Sequence, residues 1–226
     1  LTGVVDFSFS AFKIQPREVA DVLLYGCTDN GAANYNALAT LDDGGCVYVG
    51  GECGLFISEY AEGSANNKYM ELYNPTSSPI FLDEYTFGNC SNGCDALGGA
   101  SSITGNVDFW TFNFPAGSQV APGGTFIVAH PSADATILAV ANMTYTYLSN
   151  GDDTYVLAKI AGGDTTVVDI LGDLGADPGS GFAVAGVLNA TQNATLVRKP
   201  DVSTGNGGDW AASAGTNEID TEWVIN

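Results

Sequence analysis

The sequence predicts an all-β protein, a sandwich of short strands, on three observations. First, apolar and polar residues alternate at a period of two, as in 55–60 and 69–74, the pattern of half-buried strands. Second, turn signals follow one another at short intervals: Pro122-Gly-Gly124, Asn150-Gly-Asp152, Gly162-Gly163, Asp177-Pro-Gly179 and Asn206-Gly-Gly208. Third, no helical stripe extends beyond a turn or two around residues 131–140. Short strands joined by glycine-rich turns favour a sandwich over a parallel α/β sheet.

Residues 1–26 form an apolar leader. Val5, Phe7, Phe9 and Ala11 alternate with Asp6, Ser8 and Ser10, which predicts an extended strand with one apolar face. Residues 18–25 suit a second strand or a short helix. The leader has to bury Phe7 and Phe9 against something. It either adds an edge strand to its own domain or completes a sheet in a neighbouring subunit, where an open edge offers unpaired backbone groups. Head-to-tail exchange of the second kind does not close on itself and builds filaments.

Residues 27–52 form a compact loop unit rich in Asp and Asn. The five cysteines are Cys27, Cys46, Cys53, Cys90 and Cys94. Two local disulfides, Cys27 with Cys46 and Cys90 with Cys94, are the economical pairing, with Cys53 left over. Closing the first loop is worth about 3 kcal/mol in the chain-entropy model. A zinc site is disfavoured, because His130 is the single histidine and no Cys-x-x-Cys occurs. Disulfides imply an oxidising compartment, and sequons at Asn89, Asn142, Asn189 and Asn193 are compatible with glycosylation there. Asp29, Asn34, Asn36, Asp42 and Asp43 crowd hard oxygen donors into one loop, with Gly44 allowing a sharp turn. Calcium is therefore the metal to expect if one binds, although the spacing is not that of an EF-hand. Asp and Asn also favour turns through their own backbone bonding, so a purely structural role stays open. The unit is similar to a short Cys-Thr-Asp…Asn-Tyr-Asn…Asp-Asp-Gly-x-Cys unit of surface and secreted bacterial proteins.

Residues 53–226 carry the sandwich. Strands are expected near 55–60, 69–74, 85–87, 109–114, 125–129, 154–160, 166–171, 195–199 and 222–225. The opening pair, Gly54-Leu-Phe-Ile-Ser-Glu-Tyr60 and Lys68-Tyr-Met-Glu-Leu-Tyr-Asn-Pro75, resembles the first hairpin of the lamin-tail domain. The resemblance continues through Asn113-Phe-Pro115, Val120-Ala-Pro-Gly-Gly-Thr-Phe-Ile-Val-Ala-His130, Leu148-Ser-Asn-Gly-Asp-Asp-Thr-Tyr-Val-Leu157, Val168-Asp-Ile-Leu-Gly172 and Leu196-Val-Arg-Lys-Pro200. It implies an immunoglobulin-like β-sandwich. Residues 90–108 and 175–188 look like insertions, and the leader lies outside the family pattern.

Charge narrows the partners. Asp and Glu number 26 against six Lys and Arg, for a net charge of −20. Such a surface repels phosphate backbones and anionic lipid, so no nucleic acid is expected as a partner. No apolar run reaches membrane length, so no membrane insertion is expected either. The start at Leu1 fits a mature form of a longer precursor, or a fragment. The expected location is extracellular or at the cell surface.

The residues that could carry chemistry are few. His130 is the one histidine base, at the end of a strand before Pro131, and no Gly-x-Ser-x-Gly elbow accompanies it. The adjacent pairs Asp42-Asp43 and Asp152-Asp153 point apart on extended backbone and read as solvated turn acids. Glu59 and Glu71 face neighbouring strands, where they approach each other or Lys68 as part of a sheet-edge ion pair. The 24 aromatics, Trp110, Trp210 and Trp223 among them, fill a core or present a sugar-binding face. The expectation is no enzyme and no certain cofactor. The leading function is that of a structural subunit that associates with itself. The alternatives are an adhesion or carbohydrate-binding module with a glycan partner, and an accessory domain of a secreted hydrolase.

Overall fold

The computed structural model describes residues 4–8, 11–15, 23–28, 35–42, 47–48, 51–52, 54–92, 109–148, 150–161, 164–175 and 177–226. They divide into two compact units, Leu1–Glu52 and Cys53–Asn226.

In the first unit the leader is not one extended strand. Strand β1 (Val4–Ser8) turns back into β2 (Ala11–Gln15), antiparallel, with Val4 opposite Gln15, Phe7 opposite Phe12 and Ser8 opposite Ala11. Alternation at a period of two is the same on both arms of a hairpin, so periodicity alone could not locate the reversal. Folding back lets the backbone groups pair within the segment. A second ribbon, β3 (Val47–Tyr48) with β4 (Gly51–Glu52), follows. Between them, Asn36 N–H donates to the Cys27 carbonyl, Gly26 N–H donates to that of Leu41, and Tyr25 bridges Leu41 in parallel. Cys27 is buried and disulfide-bonded. Its expected partner Cys46 lies outside the described residues, as do Phe9, Cys53 and Cys94.

The second unit is an immunoglobulin-like β-sandwich. Its elements in order are β5 (Phe56–Glu62), β6 (Lys68–Tyr73), β7 (Ile80–Phe81), a 3-10 turn (Leu82–Glu84), β8 (Tyr85–Cys90), β9 (Phe109–Asn113) and β10 (Gln119–Val120). Then follow β11 (Thr125–Ala129), α1 (Ala135–Leu138), β12 (Met143–Thr144), β13 (Thr154–Ala161), β14 (Asp164–Leu171), β15 (Thr195–Arg198), α2 (Trp210–Ala214) and β16 (Trp223–Ile225). One sheet has the order β12-β11-β6-β5-β15-β16, the other β14-β13-β8-β9, and β7 and β10 form a short ribbon. All nine expected strands are present. The short β7, β10 and β12 and the helix α2 were not expected, because segments this brief carry no periodic signal.

Strand β6 alternates buried and half-buried residues along its whole length, sending Met70 and Leu72 inward and Tyr69, Glu71 and Tyr73 outward. Met70, Leu72, Val128 and Leu196 from the larger sheet join Phe87, Tyr155, Leu157 and Ile170 from the smaller one in a single core. Each such side chain contributes about 1.5–3 kcal/mol on burial. Residues 175–188, expected as an insertion, are tied into that core: Phe182 and Val184 are buried, and the Phe182 ring meets Trp210 edge-on at 6.1 Å. A register shift between Ile57 and Glu59 makes Ser58 the extra residue of a bulge in β5.

Candidate functional site

Two polar clusters connect the sheets. At the first, Arg198 on β15 reaches Asp169 on β14. Its Nη2 donates to Asp169 Oδ1 at 2.6 Å, Nη1 to Ser213 Oγ at 3.0 Å and also to Glu222, and Nε to the Ile57 carbonyl at 3.2 Å. The guanidinium lies 4.1 Å from the Trp223 ring. Asp169 also accepts backbone N–H bonds from Ile57, Ile170 and Asn206. Burial pushes the Asp169 carboxyl up, while Arg198 and those N–H groups pull it back. Planar donors meeting planar acceptors make this a closed structural lock.

The second cluster sits where β5 ends and β6 begins. Lys68 Nζ is 3.2 Å from Glu62 Oε1 and 3.4 Å from Asn150 Oδ1. The side chains of Lys68 and Glu62 are each only 8% exposed, whereas Asn150 is exposed. Glu62 Oε2 accepts the Asn193 N–H. Asn150 stands before Gly151, whose φ of +94° is open to glycine. A Cβ there would come within 2.6 Å of the Thr191 carbonyl, and Thr191 Oγ1 donates to the Gly151 carbonyl at 2.5 Å. The turn carrying Asn150 is therefore pinned.

Asp152 and Asp153 are buried rather than solvated turn acids. Asp153 accepts from Asn89 Nδ2 at 3.2 Å and from Asn92 N–H at 3.0 Å. Asp152 Oδ1 and the Tyr60 hydroxyl are the buried side-chain oxygens without a hydrogen-bond partner among the described residues. Burial pushes the Asp152 carboxyl up, and the charges of Asp153 and Asp177 add to that, against an opposing pull from Lys68. Burial, Tyr155 and the nearby acids likewise hold the Tyr60 phenol well above its ordinary range.

Other residues singled out by the sequence fall as follows. Glu59 and Glu71 are register partners on the outward face, but Lys68 pairs with Glu62 instead of either. Glu59 accepts from Tyr69 Oη at 2.5 Å and Glu71 from Ser58 Oγ at 2.8 Å. Lys68 points inward with the buried positions of β6, out of reach of that face. His130 Nδ1 accepts the Ser132 N–H at 3.0 Å. Trp210 and Trp223 are buried in the core. Of the Asp/Asn loop, Asn36 and Asp42 are described and do not show a cage. Asn36 Oδ1 accepts the Leu38 N–H at 3.0 Å, and Asp42 is exposed. Asp29, Asn34 and Asp43 lie outside the described residues. Among the described residues no three His, Cys, Asp or Glu side chains are grouped to hold a metal ion.

Of the sequons, Asn142, Asn189 and Asn193 are exposed. Asn89 is not available to a glycan: it is 1% exposed, and its side chain is held between Asp153 and Tyr145 Oη. A sequon specifies local sequence and is blind to burial. Cys90 is disulfide-bonded.

Glu62, Asn150, Asp169 and Glu222 were not singled out by the sequence. A signal existed for two of the clusters' members: Asp169 and Arg198 interrupt the apolar runs Val168-Asp-Ile-Leu and Leu196-Val-Arg, where a charge has to be paired if buried.

The fold and the sequence agree on a family. The family model described as Lamin Tail Domain matches residues 51–172, more than half of the chain. Strands β15 and β16 lie beyond the matched segment yet complete the larger sheet. No curated protein matches the chain. The chain belongs to the lamin tail domain family, a family of immunoglobulin-like structural domains.

Proposed function

We propose that the protein is a non-catalytic extracellular structural subunit that associates with copies of itself through its N-terminal segment and builds a surface filament. The observation that carries this reading is the β1–β2 hairpin, which forms a two-stranded sheet of its own. An isolated two-stranded hairpin is at best marginally stable in water and gains from joining a larger sheet. Among the described residues no further strand pairs with either outer edge, which is the kind of edge a neighbouring strand joins. Cys27 and Cys90, both disulfide-bonded, support an oxidising, extracellular setting. The structural character of the family supports a non-catalytic role.

Negative-stain imaging and sedimentation of the full chain, beside a variant lacking residues 1–15, test the reading. Filaments from the full chain, lost in the deletion with an unchanged melting temperature, support it. A monomeric full chain overturns it, and so does a deletion that melts far lower, since the hairpin would then belong to its own domain.

A further inference from the structure

We propose that Lys68 and Asn150 form an intramolecular amide cross-link, with Glu62 as the proton-carrying catalytic group. The inference stands independently of the filament reading. Lys68 and Glu62 face each other on adjacent strands of one sheet and are both buried, an arrangement in which desolvation of the two charges works against their attraction. Here a third group with matching chemistry is present. The Asn150 carboxamide approaches the Lys68 amine at 3.4 Å through Oδ1, and its Cγ is one carbonyl bond beyond. Attack needs Nζ and Cγ themselves at about 3–3.5 Å, which the exposed carboxamide reaches by turning from its Oδ1 contact to present Cγ to the amine. The amine contacts a carboxylate at 3.2 Å on its other side. Loop rigidity adds preorganisation, because Gly151 packs on the Thr191 backbone and fixes the asparagine.

The chemistry balances without an oxidant. The Lys68 ammonium gives a proton to Glu62, and the nitrogen lone pair attacks Asn150 Cγ, forming the C–N bond as the carbonyl π electrons move to Oδ1. Glu62 returns its proton to Nδ2, the Cγ–Nδ2 bond breaks as the carbonyl re-forms, and ammonia departs with the remaining ammonium proton. The products are a secondary amide and one ammonium ion. Asn150 is exposed, so the leaving ammonia has a path to solvent. Asp152 is a second carboxyl whose charge acts on this lysine, with a buried oxygen that has no hydrogen-bond partner. The new amide N–H remains placed to donate to Glu62. The bond would join the start of β6 in the larger sheet to the turn before β13 in the smaller one, making the sandwich resistant to extension.

Intact-mass and peptide-mapping mass spectrometry of the full chain test the proposal. The expected result is a mass lower by one ammonia and a branched peptide joining the segments around Lys68 and Asn150. Trypsin should fail to cut after Lys68, and the cross-link should be absent in Lys68→Arg and strongly reduced in Glu62→Gln. An unmodified mass with linear peptides through both residues overturns the proposal. Loss of ammonia mapped to a cyclic imide at Asn150-Gly151, with Lys68 free, overturns it too. A Glu62→Gln variant that cross-links as completely as the parent removes Glu62 from the catalytic role. Because the unmutated chain gives the primary result, a variant that fails to fold leaves the test decisive.

Discussion

Arg198 and Lys68 are both buried cations of the larger sheet, with side chains 2% and 8% exposed, and both reach toward the smaller one. Arg198 meets two carboxylates, a hydroxyl and a backbone carbonyl, and its main partner Asp169 also accepts three backbone N–H groups. Among the described residues Lys68 meets the Glu62 carboxylate and the Asn150 carboxamide on a turn, beside an acid whose buried oxygen has no hydrogen-bond partner there. A guanidinium cannot lose its proton, so the first cluster serves only as a lock. An ammonium can, so the second has the means of reacting. The difference lies in the chemistry of the cation, because burial and position are alike.

The largest effect is expected at the lock. Arg198→Leu leaves Asp169 buried without its cation and should lower stability by about 3–5 kcal/mol, read by chemical denaturation. An unchanged denaturation midpoint for Arg198→Leu would show that the cluster is not a lock and break the contrast. A smaller loss is expected for Gly151→Ala, about 1–3 kcal/mol, because alanine at that positive φ would also collide with the Thr191 backbone. This change should misplace Asn150 and leave the Arg198 cluster intact; an unchanged denaturation midpoint would show that the turn is not pinned.

The smallest and most pH-sensitive effect is expected at Asp152. Its carboxyl is raised by burial in the folded state, so the folded protein holds that proton to higher pH than the unfolded chain. Stability should therefore fall as pH rises from the ordinary carboxylate range through the folded value. Asp152→Asn should remove this slope and raise stability at neutral pH, because the buried charge is gone. The gain should vanish in acid. Melting curves at neutral and acidic pH check it, and equal gains at both would place the cause elsewhere than in ionisation.

The strands were legible because their cause is local. Alternation in Lys68–Tyr73 and turn chemistry at Pro122-Gly-Gly124 act within a few residues. The leader was misread for the same reason, since one period describes both a long strand and a hairpin. Glu59 and Glu71 do face each other in register, one of the two expected arrangements, while Lys68 pairs with Glu62 because it belongs to the buried positions of β6. Asn89 read as a surface acceptor because its motif extends over three residues, while its burial depends on Asp153 and Tyr145, 64 and 56 positions away.

By itself, then, the sequence determined an acidic all-β sandwich and its family resemblance, because burying alternate residues of short strands requires only their spacing. The tertiary structure alone decided which charges are enclosed and what they face. Lys68, Glu62 and Asn150 come from a strand start, a strand end and a distant turn. Glu62 and Lys68 face each other across their own hairpin, but Asn150 joins them only when two sheets pack, and the cost of burying a charge is set by such neighbours from far along the chain.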